Sequence, residues 1–466
     1  MPIPKDHIVT YFKEILITVI ALIAISISLT LPGGLDQSQS LTFGIVLITL
    51  GLWATGIVPG YVASTFFFTA LLLLNLAPPT VVFSGFTSTA MWLIVTGFVI
   101  GAAITHSGLG VRIGAIAQPH LSKSYPMLIG GLMLIGALMG FIMPSSMGRA
   151  AALVPVGMAL ADVLGLEKGN KGRTGVAVVV AFGTNMPSFA ILPSNIPNIV
   201  MSGMAERTWG LHFGYADYLL LHYPVLGIVK GIAIVLLVLL YFPAKLTLTP
   251  PAPDPTAPHA ARRQALLLGV LLITVALWAT DQLHGVNAAW IGLATTLVLM
   301  VPQFGFVPPP VFKGAIDFGM LLFVSGALAL GAVVTSTGLG PVIARHVVSA
   351  LPLEEGRQFL NFLSLSTLGI VTSIFTTMAG LPAVLGPMAQ DLARATGFSI
   401  ETVMMTQVIG FSTVFFPYQI SPLIVAMGLA GESTRPLLKM TLSLVVLTFV
   451  IFIPLDYLWW RLLGWI

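Results

Sequence analysis

Arg149 is the residue whose chemistry most needs a reason. It closes the run Pro144-Ser145-Ser146-Met147-Gly148-Arg149, in the middle of a long apolar stretch over 126–165. A charged side chain deep in an apolar medium is expensive and is kept where it serves function. Its guanidinium is a planar fork of donors suited to a carboxylate, sulfate or phosphate. No acidic residue in this run neutralises it, so a mobile anion is the natural counter-charge. Arg149 follows Ser145 by four residues, which puts both on one face of a helix that starts at the break. The competing assignments are a side chain that snorkels from the end of a hairpin or a pair with Asp162 or Asp391.

Three further irregular places carry polar side chains. One is Thr376-Thr377-Met378-Ala379-Gly380, inside the apolar stretch 359–395. The others are Leu192-Pro193-Ser194-Asn195-Ile196-Pro197-Asn198 and Phe416-Pro417-Tyr418-Gln419-Ile420-Ser421-Pro422. Paired prolines interrupt the backbone ladder and push the preceding residue out of helix. The freed N–H groups favour an anion and the freed carbonyls a cation. The candidate anion site is therefore Ser145, Ser146, Gly148, Arg149, Ser194, Asn195, Thr376, Thr377, Gln419 and Ser421. The competing role for the hydroxyls is back-bonding to their own helices. Lys230 is expected to snorkel from an otherwise apolar span, and His106 to lie at an interface. Enzyme signatures are missing. There is no Walker-type loop, no HExxH and no paired-aspartate motif, and His106, His120, His212 and His222 lack metal-ligand spacing.

The elements that must position these residues follow from composition. Of 466 residues 57% are hydrophobic and 8% charged, against about 25% charged in soluble proteins. That excludes a soluble enzyme, a nucleic-acid binder and a disordered chain, and it predicts an all-α polytopic membrane protein in contact with lipid. The absence of cysteine excludes disulfides and thiolate metal sites. The first apolar run has no cleavage pattern after it and reads as a span.

Eleven spans are expected near 15–32, 41–58, 61–77, 91–107, 174–200, 223–242, 264–281, 286–302, 319–336, 402–425 and 441–460. The stretches 126–165 and 359–395 read as re-entrant hairpins. With the N-terminus cytoplasmic, thirteen Lys and Arg fall inside and five outside (Arg207, Arg345, Arg357, Arg394 and Arg461), while Arg149 and Lys230 stay within membrane segments. This satisfies the positive-inside rule for an inner or plasma membrane.

The Pro-rich segment 243–264 divides the chain into an N-terminal helix and first repeat (1–40, 41–242) and a second repeat (265–466). Trp53-Ala54-Thr55 recurs as Trp278-Ala279-Thr280, Gly108-Leu109-Gly110 as Gly338-Leu339-Gly340, and Gly148 with Pro155 as Gly380 with Pro387. Five spans and a hairpin per half make the second repeat inverted, the plan of secondary transporters with substrate at the repeat interface.

With hairpins, inverted repeats and Pro-broken helices, the chain resembles the divalent-anion/sodium symporter family of the ion-transporter superfamily, from about the second span to the last. That family marks each hairpin tip with Ser-Asn-Thr. Counted back from Pro155 and Pro387, the tips here are Ser145-Ser146-Met147-Gly148-Arg149 and Thr377-Met378-Ala379-Gly380-Leu381. Only Ser145 and, conservatively, Thr377 keep the pattern. Asn gives way to Ser146 and Met378, and Thr to Met147 and Ala379.

The resemblance implies a secondary transporter for a small divalent anion, most closely a C4-dicarboxylate. It also implies a transport domain that slides as an elevator against a scaffold, and a homodimer. Sodium is the implied ion, with Ser145, Asn195 and Thr377 its candidate ligands, and no other cofactor is expected. Methionine and alanine cannot serve a hard cation, so the expectation is that Arg149 replaces part of the sodium charge. A sodium-coupled sulfate or citrate symporter, and an oxyanion channel or pump subunit, are the alternatives.

Overall fold

The computed structural model describes residues 5–30, 35–109, 112, 121–246, 258–376 and 378–466. Thr377 and residues 247–257 of the Pro-rich segment lie outside the described residues, as does His120. All regular elements among the described residues are helical.

The chain opens with α1 (Lys5–Thr30), α2 (Gln37–Thr55), α3 (Gly60–Leu73) and α4 (Thr89–Ser107). The first hairpin consists of α5 (Tyr125–Ile142) and α6 (Ser146–Val163), and the first broken helix of α7 (Lys171–Gly183) and α8 (Ile196–Trp209). Then α9 (Tyr215–His222) runs through a π turn, Tyr223–Val229, into α10 (Lys230–Tyr241).

The second half repeats this order. After α11 (Pro258–Ala279), α12 (Ala288–Met300), α13 (Phe318–Ser336) and α14 (Leu339–Ala350) comes the hairpin arm α15 (Gln358–Phe375). Its return arm is broken into α16 (Leu381–Leu385) and α17 (Ala389–Thr396) around Pro387. Next are α18 (Ile400–Ser412) and α19 (Ser421–Leu429), and then α20 (Arg435–Leu447), a second π turn at Thr448–Phe452, and α21 (Ile453–Leu462).

Local chemistry explains the ends. The side chains of Ser88, Ser124, Ser145, Asn170, Asn195 and Ser399 accept backbone N–H groups at the starts of α4, α5, α6, α7, α8 and α18. The repeated Gly-Leu-Gly motif marks a sharp turn in both halves. Gly108 (φ 69°) and Gly338 (φ 71°) each adopt a left-handed backbone that a side chain would strain.

Eight helical segments among the described residues are long and apolar enough to cross a membrane, and shorter apolar helices include Gly60–Leu73 and Ala288–Met300. The sixth span starts at Tyr215 rather than 223, and the last at Arg435 rather than 441. Pro224 lies in the first π turn and Pro454 just after the second, and the wider turn accommodates the lost N–H and lets the helix continue. Each arm of the first hairpin has 18 residues, about 27 Å at 1.5 Å per residue, so each is as long as a crossing.

The two broken helices are antiparallel neighbours. At the start of α7, Arg173 and Thr174 contact Glu432, just beyond the end of α19, with Arg173 Nε 3.5 Å and Thr174 Oγ1 2.9 Å from its carboxylate. Each hairpin's first arm crosses its own broken helix at a pair of glycines. A Cβ on Gly136 would stand 2.7 Å from the Gly183 carbonyl carbon, and one on Gly410 2.7 Å from that of Gly369. Elsewhere the halves interleave, with α3 packed on α13 and α4 on α12.

Candidate functional site

The first tip forms where α5 stops at Met143-Pro144-Ser145. Pro144 cannot donate a backbone hydrogen bond, and the Ser145 hydroxyl accepts the Gly148 N–H at 3.1 Å, so α6 starts there. The Arg149 N–H reaches the Ser145 carbonyl at 2.9 Å, which fixes the guanidinium one turn inside the helix. The tip rests on α4, where a Cβ on Gly97 would lie 3.1 Å from Pro144 Cβ and one on Gly101 3.5 Å from Ser145 Cβ.

Arg149 is 0% exposed. Its fork is spent on five protein oxygens. Nε donates to the Thr184 carbonyl at 2.7 Å. One terminal nitrogen donates to the Met143 carbonyl and to the Ser194 hydroxyl (3.0 Å) and carbonyl (3.3 Å). The other donates to the Ser146 hydroxyl at 2.8 Å and the Ser194 carbonyl at 3.4 Å. Ser194 Oγ in turn donates to the Gly140 carbonyl at 2.7 Å, tying the break to α5. Thr184 caps the carbonyl end of α7, where a cation is favoured by the helix dipole.

The magnitudes account for a buried charge without an acid. Insertion of an arginine costs about 2.5–3.5 kcal/mol at a helix centre. Hydrogen bonds to charged groups return about 1.5–3 kcal/mol each, so two or three suffice.

The acidic partners considered for Arg149 belong elsewhere. Asp162 pairs with Arg173, and Asp391 lies 3.8 Å from Arg394. Arg149 also does not snorkel. The expectation that its fork points at a substrate needs correcting for this conformation. It knits the tip to the first break, and the groups left for an anion are those around it.

Ser145, Ser146, Gly148, Arg149 and Ser194 thus form one constellation. Asn195 stands at its edge, its Nδ2 donating to Ser188 Oγ at 3.1 Å and its Oδ1 accepting the Ile196 N–H at 3.1 Å. Sequence reasoning missed the residues that brace the break. Asn198 donates to the carbonyls of Ser188 (3.0 Å) and Ile191 (2.8 Å), and Asn185 to that of Ala181 (2.8 Å). Their only sequence signal was an amide within a Pro-interrupted apolar run. The carbonyls of Met143 and Thr184 had none.

The second half assembles differently. Thr376 caps α15 and donates to the Thr372 carbonyl at 3.0 Å. Gln419 Oε1 accepts the N–H groups of Phe415 (2.9 Å) and Phe416 (2.8 Å), and its Nε2 donates to the Ser373 carbonyl at 2.8 Å. Gln419 therefore ties the second break to the second hairpin. Ser421, at the start of α19, is exposed.

The carbonyl end of α18 is also met by a cation, since Lys230 donates to the Ser412 carbonyl at 2.6 Å. Lys230 is 2% exposed, so the snorkelling expectation fails. The π turn just before it adds a residue to the helical turn and rotates the side chain inward. The oxygens of the Arg149 cage already accept from its fork. Ser145 Oγ and Asn195 Oδ1 likewise each accept a backbone N–H as caps.

A cleft of about 510 Å³ opens where α8 faces α4 and α12, lined by Leu192, Ile199, Glu206, Asp217, Asp281 and Asn287. Its three carboxylates disfavour a dianion there.

A family model described as the sodium:sulfate symporter transmembrane region matches residues 10–466. Among curated relatives, a membrane protein of Cupriavidus necator is 23% identical, over 97% of this chain and 93% of its own length. Dicarboxylate transporter 2.2 of Arabidopsis thaliana is 24% identical over 85% of this chain and 74% of its own. The inner membrane protein YbhI of Escherichia coli is 22% identical over 83% of each. Among solved structures, the Alcanivorax borkumensis YdaH transporter matches with a TM-score of 0.59 at 15% identity, covering 92% of this chain and 99% of that one. This last likeness concerns the fold.

Proposed function

The chain belongs to the sodium:sulfate symporter family, and from that premise we propose that it is a secondary carrier for a C4-dicarboxylate in which Arg149 stands where a bound cation would. Membership makes it a multi-pass membrane transporter of a small anion. The observation that carries the finer reading is the all-oxygen cage around the Arg149 fork, built from the Met143, Thr184 and Ser194 carbonyls and the Ser146 and Ser194 hydroxyls. Hard cations want such oxygens. Here a tethered guanidinium takes them, and its charge raises the affinity of the adjoining space for a dianion.

In this reading the N-terminus of α6 offers one carboxylate the Ser145 hydroxyl and the N–H groups ahead of Gly148, whose own N–H is held by Ser145 Oγ. Asn195 stands beside it, and Thr376, Gln419 and Ser421 close the site from the second half. The dicarboxylate transporters among the relatives support the substrate class. The two hairpins and two broken helices form a transport domain that moves as an elevator against a scaffold of α1–α4, α9–α13 and α20–α21. Moving protein and ligand together keeps Arg149 covered, which avoids exposing a charge to lipid. The carrier is a homodimer in the inner membrane with its N-terminus in the cytoplasm.

The test is uptake of radiolabelled succinate into proteoliposomes, with choline in place of sodium. Saturable uptake and counterflow are expected without sodium. Uptake that disappears in choline would overturn the Arg149 reading. Preference for sulfate over succinate would redirect the substrate class, which the family model's own description makes the arm to run beside it. Linear, non-saturating flux would identify a channel.

A further inference from the structure

A second ionisable centre lies away from the tips. Asp456, on α21, is 0% exposed, and neither of its carboxylate oxygens has a hydrogen-bond partner among the described residues. A carboxylate buried in this way persists only with a proton or a counter-charge to neutralise it. The opposite charge acting on it is Lys230 of α10. Yet the described ion pairs do not join the two, and the ammonium is committed to the Ser412 carbonyl at 2.6 Å. A purely structural pair would close and satisfy the carboxylate. This one is held open.

Its placement in the fold is regular. Lys230 directly follows the first π turn and Asp456 lies just beyond the second, each in the last membrane helix of its half. The two π turns touch. Lys230 borders a gap lined by Phe182 and Met186 of the first broken helix and by Ser412, Thr413 and Val414 of the second. It therefore reaches both breaks from outside the hairpin tips.

α21 packs against α9 and α15. From α9 come Tyr218 and His222, ring centroids 4.6 Å apart, with His222 5.6 Å from the Trp460 ring and its Nδ1 without a described partner. α15 carries no titratable side chain, and the second π turn carries none either. Tyr223 lies on the first π turn, its ring 5.1 Å from Phe141. On α21 itself Tyr457 sits under the Arg461 guanidinium at 5.8 Å. Lys230 is the one buried cation in this set.

We propose that Asp456 is a proton-binding site, linked through Lys230 to the second broken helix, and that the carrier moves its anion together with a proton. The inference rests on the carrier reading above. The proton comes from water on one side, sits on the Asp456 carboxylate and leaves to water on the other side. Ionised, Asp456 competes with the Ser412 carbonyl for the Lys230 ammonium. Protonated, it releases Lys230 to cap α18, and the capped end orders the break that carries Gln419. A proton on Asp456 and a formed second half of the site therefore occur together.

The experiment uses the full chain in proteoliposomes with radiolabelled succinate, no sodium, and the voltage clamped with potassium and valinomycin. Wild type is expected to show counterflow at equal pH, and uptake several-fold faster under an inward proton gradient. Asp456→Asn should keep counterflow and lose the stimulation, while Asp456→Glu should retain it. Stimulation that survives in Asp456→Asn, or a wild type that exchanges without responding to the gradient, overturns the proposal. Loss of wild-type counterflow would strike the carrier reading instead. In that case infrared spectroscopy of the detergent-solubilised protein decides the proton site alone. A titrating carboxylic-acid band that Asp456→Asn removes supports it, and a spectrum unaltered by the substitution overturns it. If the Asn variant does not fold, Asp456→Glu takes its place: a displaced band supports the site, and an undisplaced spectrum overturns it.

Discussion

Arg149 gathers three elements through its side chain: the α5 end, the α6 start and the first break. Arg149→Met should therefore lower stability and substrate affinity together, because the carbonyls of Met143, Thr184 and Ser194 lose their donor, at about 1–3 kcal/mol for each buried group left unpaired. The vacated oxygens should then attract sodium. Thermal unfolding in detergent checks both effects, with a sodium-dependent rise in Tm expected for Arg149→Met and absent in wild type. Ser194→Ala removes one acceptor of the fork and the bond to the Gly140 carbonyl, and should cost about 1–3 kcal/mol in the same assay. Ser421 is exposed, so Ser421→Ala should stay within about 0.5 kcal/mol of wild-type stability and act, if at all, on the KM for succinate. The cost of burying Arg149 was legible in the sequence, because its apolar surroundings are written there. Its partners were not, since a carbonyl oxygen looks the same at every residue. Lys230 was misjudged because a 3.6-residue wheel has no place for a π turn.

At the scale of elements, prolines and polar clusters revealed the breaks well. The tip at Ser145, the first break around Ser194 and the second around Gln419 all fall where paired helix-breakers interrupt apolar runs. The ends of the sixth and last spans were harder, because a proline inside a helix usually signals a boundary and here a π turn carries the helix through. The crossings at Gly136–Gly183 and Gly369–Gly410 were hidden among 47 glycines, since only the fold shows which of them face another backbone. At both crossings an added methyl meets main chain rather than a movable side chain. Gly136→Ala and Gly410→Ala should each destabilise the protein by about 1–3 kcal/mol, the usual cost of overpacking, as read by thermal unfolding. Gly130→Ala on the same arm as Gly136 meets nothing within 4 Å and serves as the control.

For the whole molecule, scarcity of charge was the first clue to its class. The same scarcity leaves few groups able to couple transport to a gradient. Sodium-free uptake and proton-stimulated uptake are the two expectations at this scale, and both are read in the same proteoliposomes. The Arg149 cage has one more consequence. A bound ion can leave, but a guanidinium on its own backbone cannot, so the site is never electrically empty. Unoccupied it carries one positive charge, and with a dianion one negative. An elevator that moves this site through the membrane field is drawn one way when bare and the other way when loaded, by about 2.3 kcal/mol per charge for each 100 mV. Swapping one dianion for another is then electrically silent, whereas one-way movement of the dianion registers as a current.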